Sequence, residues 1–228
     1  MYFDYYYLVL VVPALLLSLF AQILVKSTFA KYSRIPSGRG LSGRDAAVLL
    51  MRAAGIPDVS IQPVSGALTD HYDPGSKALR LSQPVYGQKS IAAVGVAAHE
   101  MGHAIQHARS YGPLALRSAL VPIANIGSSI GPWIAVAGFL FAVPILANIG
   151  IVLFGAAVLF YVVTLPVEFN ASSRAIAILR DSGALREDEL RGVRKVLTAA
   201  ALTYVASALT ALMSFLRLIL LSRNRRRG

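Results

Sequence analysis

Residues 99–103 read HEMGH, within the longer stretch SIAAVGVAAHEMGHAIQHARS. Two histidines four apart lie on one face of a helix, so His99 and His103 can present both imidazoles to one ion. Zinc–nitrogen bonds of about 2.0–2.1 Å would then fix both rings. Glu100 is turned by about 100° from His99, which sets it beside the metal rather than on it. From there a carboxylate can take a proton from a zinc-activated water and return one to a leaving amine. The same five residues could match by chance. A helix of small residues, however, gains nothing by burying three ionisable side chains without partners.

A catalytic zinc takes three protein ligands and leaves one position open, so a third donor is needed. His107 lies two helical turns from His99, about 12 Å at 1.5 Å per residue, too far to share the ion. It reads instead as a polar residue near the helix end. The better donor is Glu168, in LPVEFNASSRAIAILRDSG. Pro166 is expected to open a helix there, with Glu168, Ser172, Ala175 and Leu179 along one face. A plain first-turn glutamate facing the helix dipole is the competing reading. Glu168 is favoured because an even number of membrane crossings returns it to the side of His99 and His103.

Those crossings follow from composition. The chain has 228 residues, 56% hydrophobic, 14% charged, with a mean hydropathy of +0.61 and a net charge of +11. Soluble domains carry roughly 25% charged residues, so this is an integral membrane protein. The basic residues flank long apolar runs, and no basic stripe with stacking aromatics exists, which excludes a nucleic-acid partner. Cysteine is absent, so there is neither a disulfide framework nor a thiolate site.

Four apolar segments, about 5–25, 116–139, 143–165 and 196–221, are long enough to span. The chain should therefore divide into an N-terminal anchor (1–26), a catalytic part with the HExxH helix (27–115) and a transmembrane hairpin (116–166). A helix with the third ligand (167–195) and a C-terminal apolar helix with a basic tail (196–228) complete it. Residues 26–118 hold eleven Lys and Arg against five acids, and 167–195 hold six more. The positive-inside bias places both segments in the cytoplasm. The tail RNRRRG contradicts that bias if the fourth segment crosses, which leaves open whether it spans or re-enters.

Between the first two spans, Ser42 should cap a helix GRDAAVLLMRAAG that Gly55 stops. VSIQPVSGALTDHY and KALRLS read as two strands joined at Asp73–Ser76, and Ser90 should cap the motif helix. The fold class is α+β, mainly α, with multi-pass membrane helices. KALRLS alternates well enough to be an exposed edge able to take substrate as an added strand.

LTDHYDPGSKALRLS, AAVGVAAHEMGHAIQ and PVEFNASSRA together resemble the bacterial membrane-bound neutral zinc metallopeptidases, distantly akin to the HtpX and CAAX-prenyl proteases of the gluzincin group. The resemblance covers nearly the whole chain. It implies a small gluzincin-type domain of helix, β-hairpin, HExxH helix and Glu-ligand helix. It also implies one zinc ion held by His99, His103 and Glu168, with Glu100 as general base. HtpX-type sequences carry an aspartate where this chain has Ser172, so Asn170 or Ser172 is expected to support a ligating histidine. His71, Tyr72 and Arg174 are the candidate donors to a developing oxyanion. The expected function is a zinc endopeptidase in the cytoplasmic membrane, its partners being the lipid bilayer and peptide or membrane-protein substrates. A metal-binding scaffold that does not cleave is the competing reading; the base beside the metal argues against it.

Overall fold

A computed structural model describes residues 4–225. Of the basic tail, Arg226 and Arg227 lie outside the described residues. The chain forms two compact units, Met1–Gln22 with Ala115–Pro166 and Thr203–Gly228, and Ile23–Leu114 with Val167–Leu202.

Helices run through most of both units. A π-helical turn, Tyr7–Val11, leads into α1 (Val12–Ser33). Then follow α5 (Gly112–Ser129), α6 (Gly131–Leu140), α7 (Pro144–Asp181) and α8 (Glu187–Arg225). Among the described residues, four stretches are long and apolar enough to cross a membrane: Tyr7–Ser33, Gly112–Leu140, Pro144–Asp181 and Glu187–Arg223. The protein is thus a mainly α, α+β membrane protein.

In the first unit α8 lies antiparallel to α1. Ser18 and Thr210 share a hydrogen bond at 3.0 Å, Thr210 donates to the Ala14 carbonyl, and Arg217 donates to Asp4 at 2.6 Å. The fourth segment therefore follows the first over its length and does not turn back. Ala135, Phe154, Val158, Ala211 and Leu218 form the buried cluster of this unit.

In the second unit α2 (Gly43–Ala54) begins at Ser42. Its side chain accepts from the Asp45 amide while the Asp45 carboxylate accepts from the Ser42 amide, a reciprocal cap. Gly55 ends the helix in the left-handed region at φ 67°, which a Cβ would strain. The sheet is β1 (Ser60–Val64), β2 (His71–Asp73) and β3 (Ala78–Ser82). The short α3 (Gln83–Tyr86) leads to α4 (Ile91–Ala108), capped by Ser90 as expected. Leu50, Leu79, Leu81, Val94, Met101 and Leu179 close the core.

Two expectations are corrected. The sheet is a three-stranded mixed sheet in the order β1-β3-β2, with β1 parallel and β2 antiparallel to β3. Positive φ at Gly66 (102°) and Leu68 (60°) breaks VSIQPVSGALTDHY into two strands. KALRLS therefore forms the central strand, with both edges paired, and cannot accept a further strand. Pro166 lies inside α7 and does not open a helix. The hydrogen bond its ring removes is offset by packing beyond it, where Val167, Ala171, Ala175 and Leu179 are fully buried.

Candidate metal centre

The site assembles where α4 touches the later part of α7. Ala97, Ala98 and Ala104 keep α4 thin, and all three are fully buried. A Cβ on Gly102 would run into the Ala171 carbonyl oxygen, so this glycine is what lets the two backbones touch. At that contact a side chain on α7 one turn before Ala171 reaches the histidines of α4. That residue is Glu168, 2% exposed.

Glu168 Oε2 stands 3.2 Å from His99 Nε2 and 3.6 Å from His103 Nε2. One donor atom from each residue lies within 4.8 Å of the others. Two donors about 2.0–2.1 Å from a tetrahedral zinc stand about 3.3 Å apart, so the spacing fits zinc.

The surrounding hydrogen bonds strengthen the fit. Gln106 is fully buried and donates through Nε2 to the Val167 carbonyl at 2.8 Å and to Asn170 Oδ1 at 3.0 Å. Its Oε1 is therefore left to accept, and His103 Nδ1 sits 3.1 Å away. With Nδ1 protonated, a neutral His103 aims a bare Nε2 lone pair at a carboxylate. Only a cation, either a proton or a metal ion, relieves that meeting. Burial acts to lower the pKa of His103, but its bond to Glu168, the nearby charges of Glu100 and Glu168 and the bond to Gln106 together outweigh burial and raise it. Ser172 Oγ lies 3.0 Å from His99 Nδ1, where it can orient the ring.

Glu100 is half-buried next to the cluster. Crowding by protein raises its pKa first of all, with Glu168 and Asp70 adding to the rise and the two histidines opposing it. A carboxyl held above its usual range is a better proton carrier near neutral pH.

The other candidates divide into two groups. Asn170 and Arg174 join the network, since Arg174 Nε donates to Asn170 Oδ1 at 2.6 Å while its guanidinium lies over the Tyr111 ring. His71 is exposed; its Nδ1 meets the Thr69 carbonyl and its Nε2 meets Arg80. Tyr72 pairs its hydroxyl with His107 Nδ1 at 2.9 Å. Their polar atoms are thus committed elsewhere. His107 stays at the helix end, as its spacing from His99 predicts.

Two residues escaped the sequence reading. Gln106 follows His103 by three, so helical spacing could have flagged it. Asp70 accepts from the Ser82 amide at 2.7 Å and the Ser82 hydroxyl at 2.8 Å, tying the approach to β2 onto the end of β3. No local pattern announces that contact.

Over residues 7–223 the chain matches a family described as "putative neutral zinc metallopeptidase". It is 48% identical over 220 residues to a Bacillus subtilis (strain 168) protein described as "putative membrane protease YugP", covering 96% of this chain and 98% of that one. No solved structure gives a significant match.

Proposed function

The chain belongs to the neutral zinc metallopeptidase family, and on that premise we propose that it is an endopeptidase whose single zinc ion is held by His99, His103 and Glu168. It is a zinc metallopeptidase of the membrane, a hydrolase. The observation that carries the residue assignment is the aim of two imidazole nitrogens at one buried carboxylate oxygen. When bound, zinc supplies a Lewis acid that polarises the scissile carbonyl and acidifies water.

The remaining work falls to the chain. Glu100 accepts the proton of the attacking water and delivers it to the departing amine nitrogen, its raised pKa suiting both directions of transfer. Ser172 and Gln106 hold the two rings with Nε2 facing Glu168. Because β3 is paired on both sides, an extended substrate must use an outer edge of the sheet. β2 is the one beside α4, to which Tyr72 is bonded through His107. Substrates are peptides or segments of membrane proteins, cleaved on the cytoplasmic side. That sidedness rests on the basic character of residues 26–118 and 167–195.

Glu100→Gln keeps the shape of the residue and removes its basicity. The variant should bind zinc as the parent does, yet cleave casein at least roughly a hundredfold more slowly. Zinc content by atomic emission and hydrolysis with and without chelator read the two properties separately. Parental cleavage by a contaminant-free E100Q preparation would reject Glu100 as the base.

A further inference from the structure

The second unit has a crevice between α1 and α8, away from the metal-site residues, of about 360 Å³. Leu24, Thr28 and Lys31 line it from α1, and Arg194, Lys195 and Thr198 from α8. Its chemistry is graded along both helices. On α1 the apolar run gives way to the first basic residue at Lys26; on α8 Arg194 and Lys195 immediately precede the apolar run that begins at Val196. Both helices thus pass from hydrocarbon-like to basic at the level of this crevice. That is the order in which a bilayer passes from acyl chains to phosphates.

Of the three cations, Lys31 lies 5.7 Å from the centroid of the Tyr32 ring, a contact that leaves its ammonium open to an anion. Lys31 and Lys195 are exposed and Arg194 is half-buried. Among the described residues none of the three is paired with a carboxylate, although Arg186 and Arg217 both are. Three cations without a carboxylate partner, around a crevice that also offers two threonine hydroxyls, suit an anion with several acceptor oxygens. Phosphate meets that need, and Leu24 beside it suits an acyl chain.

We propose that this crevice is a binding site for the phosphate headgroup of an anionic phospholipid. Lys31, Arg194 and Lys195 hold the charge, Thr28 and Thr198 donate to its oxygens, and the first acyl carbons lie along Leu24. The site is independent of the zinc assignment, because none of its residues belongs to the metal cluster.

The test uses the full chain purified in non-ionic detergent and offered phosphatidylglycerol or phosphatidylcholine. Retained lipid is measured by native mass spectrometry, and lipid-induced protection by thermal melting. Phosphatidylglycerol should be retained and raise the melting temperature, while phosphatidylcholine should do neither. The triple variant K31Q/R194Q/K195Q should lose phosphatidylglycerol retention by at least roughly tenfold. A control, R39Q/R52Q/R109Q, changes net charge equally on other exposed arginines and should bind as the parent does. If the pocket triple does not fold, Thr198→Trp fills the crevice without touching charge and should abolish retention alone. Equal retention of both lipids, equal losses in both triples, or undiminished binding by the T198W variant would each overturn the proposal. Inorganic phosphate at millimolar concentration should compete weakly; complete displacement by it would reassign the crevice to a free anion.

Discussion

Gln106 decides what His103 can do. Each of its polar atoms has one use: two donations fix Nε2 on Val167 and Asn170, and what remains must accept from the imidazole. Replacing it by leucine keeps the bulk but leaves His103 free to rotate or change tautomer. Zinc affinity of Gln106→Leu, measured by competition with a chromophoric chelator, should fall about 10–100-fold. Chelated parent and variant should also be compared by thermal melting, which separates lost affinity from lost folding. An unchanged affinity would show that Gln106 merely fills space. HExxH and the face carrying Glu168 and Ser172 were legible in the sequence because ligand spacing obeys helical geometry. Gln106 has the right spacing from His103, but nothing beside it in the sequence marks its partners Val167 and Asn170, which lie on a helix far along the chain.

At the scale of elements, the site depends on how closely α4 and α7 approach. Gly102 sets that approach by leaving room for the Ala171 carbonyl. A valine there must push α7 outward or strain α4, at a cost of about 1–3 kcal/mol, and it carries Glu168 away from both histidines. Gly102→Val should therefore melt earlier than the parent and bind zinc below one equivalent even when saturating metal is supplied. Full loading at the parental melting temperature would mean that the helices are not held by this contact. Helix ends were readable here because caps are local: Ser42 with Asp45, Gly55, and Ser90 each act within a few residues. Strand order was not, because pairing β1 with β3 joins segments separated by β2 and depends on the shared core. A three-residue strand such as β2 is also too short to show alternation. Pro166 misled for the same reason, since only burial of its neighbours reveals that the helix continues through it.

The whole molecule poses a question of sidedness, and the contacts of α8 bear on it. Asp4, ahead of the π-helical turn that leads into α1, holds Arg217 in the last part of α8, and Ser18 of α1 meets Thr210 further along. If α1 crosses the bilayer, α8 crosses it too, in the opposite direction. Arg223 then emerges on the side where Asp4 lies, against the positive-inside bias that places residues 26–118 in the cytoplasm. Seventeen basic residues in the two connecting segments outnumber those of the tail (eleven and six), so the longer segments should set orientation. The chain has no cysteine, which makes the expectation simple to test. Arg39→Cys and Arg223→Cys each introduce a single exposed thiol, one on either proposed side. A membrane-impermeant maleimide added to intact cells should label R223C at once and R39C only after the membrane is opened. Labelling of both from the same side would mean that α8, despite following α1, does not carry the chain across.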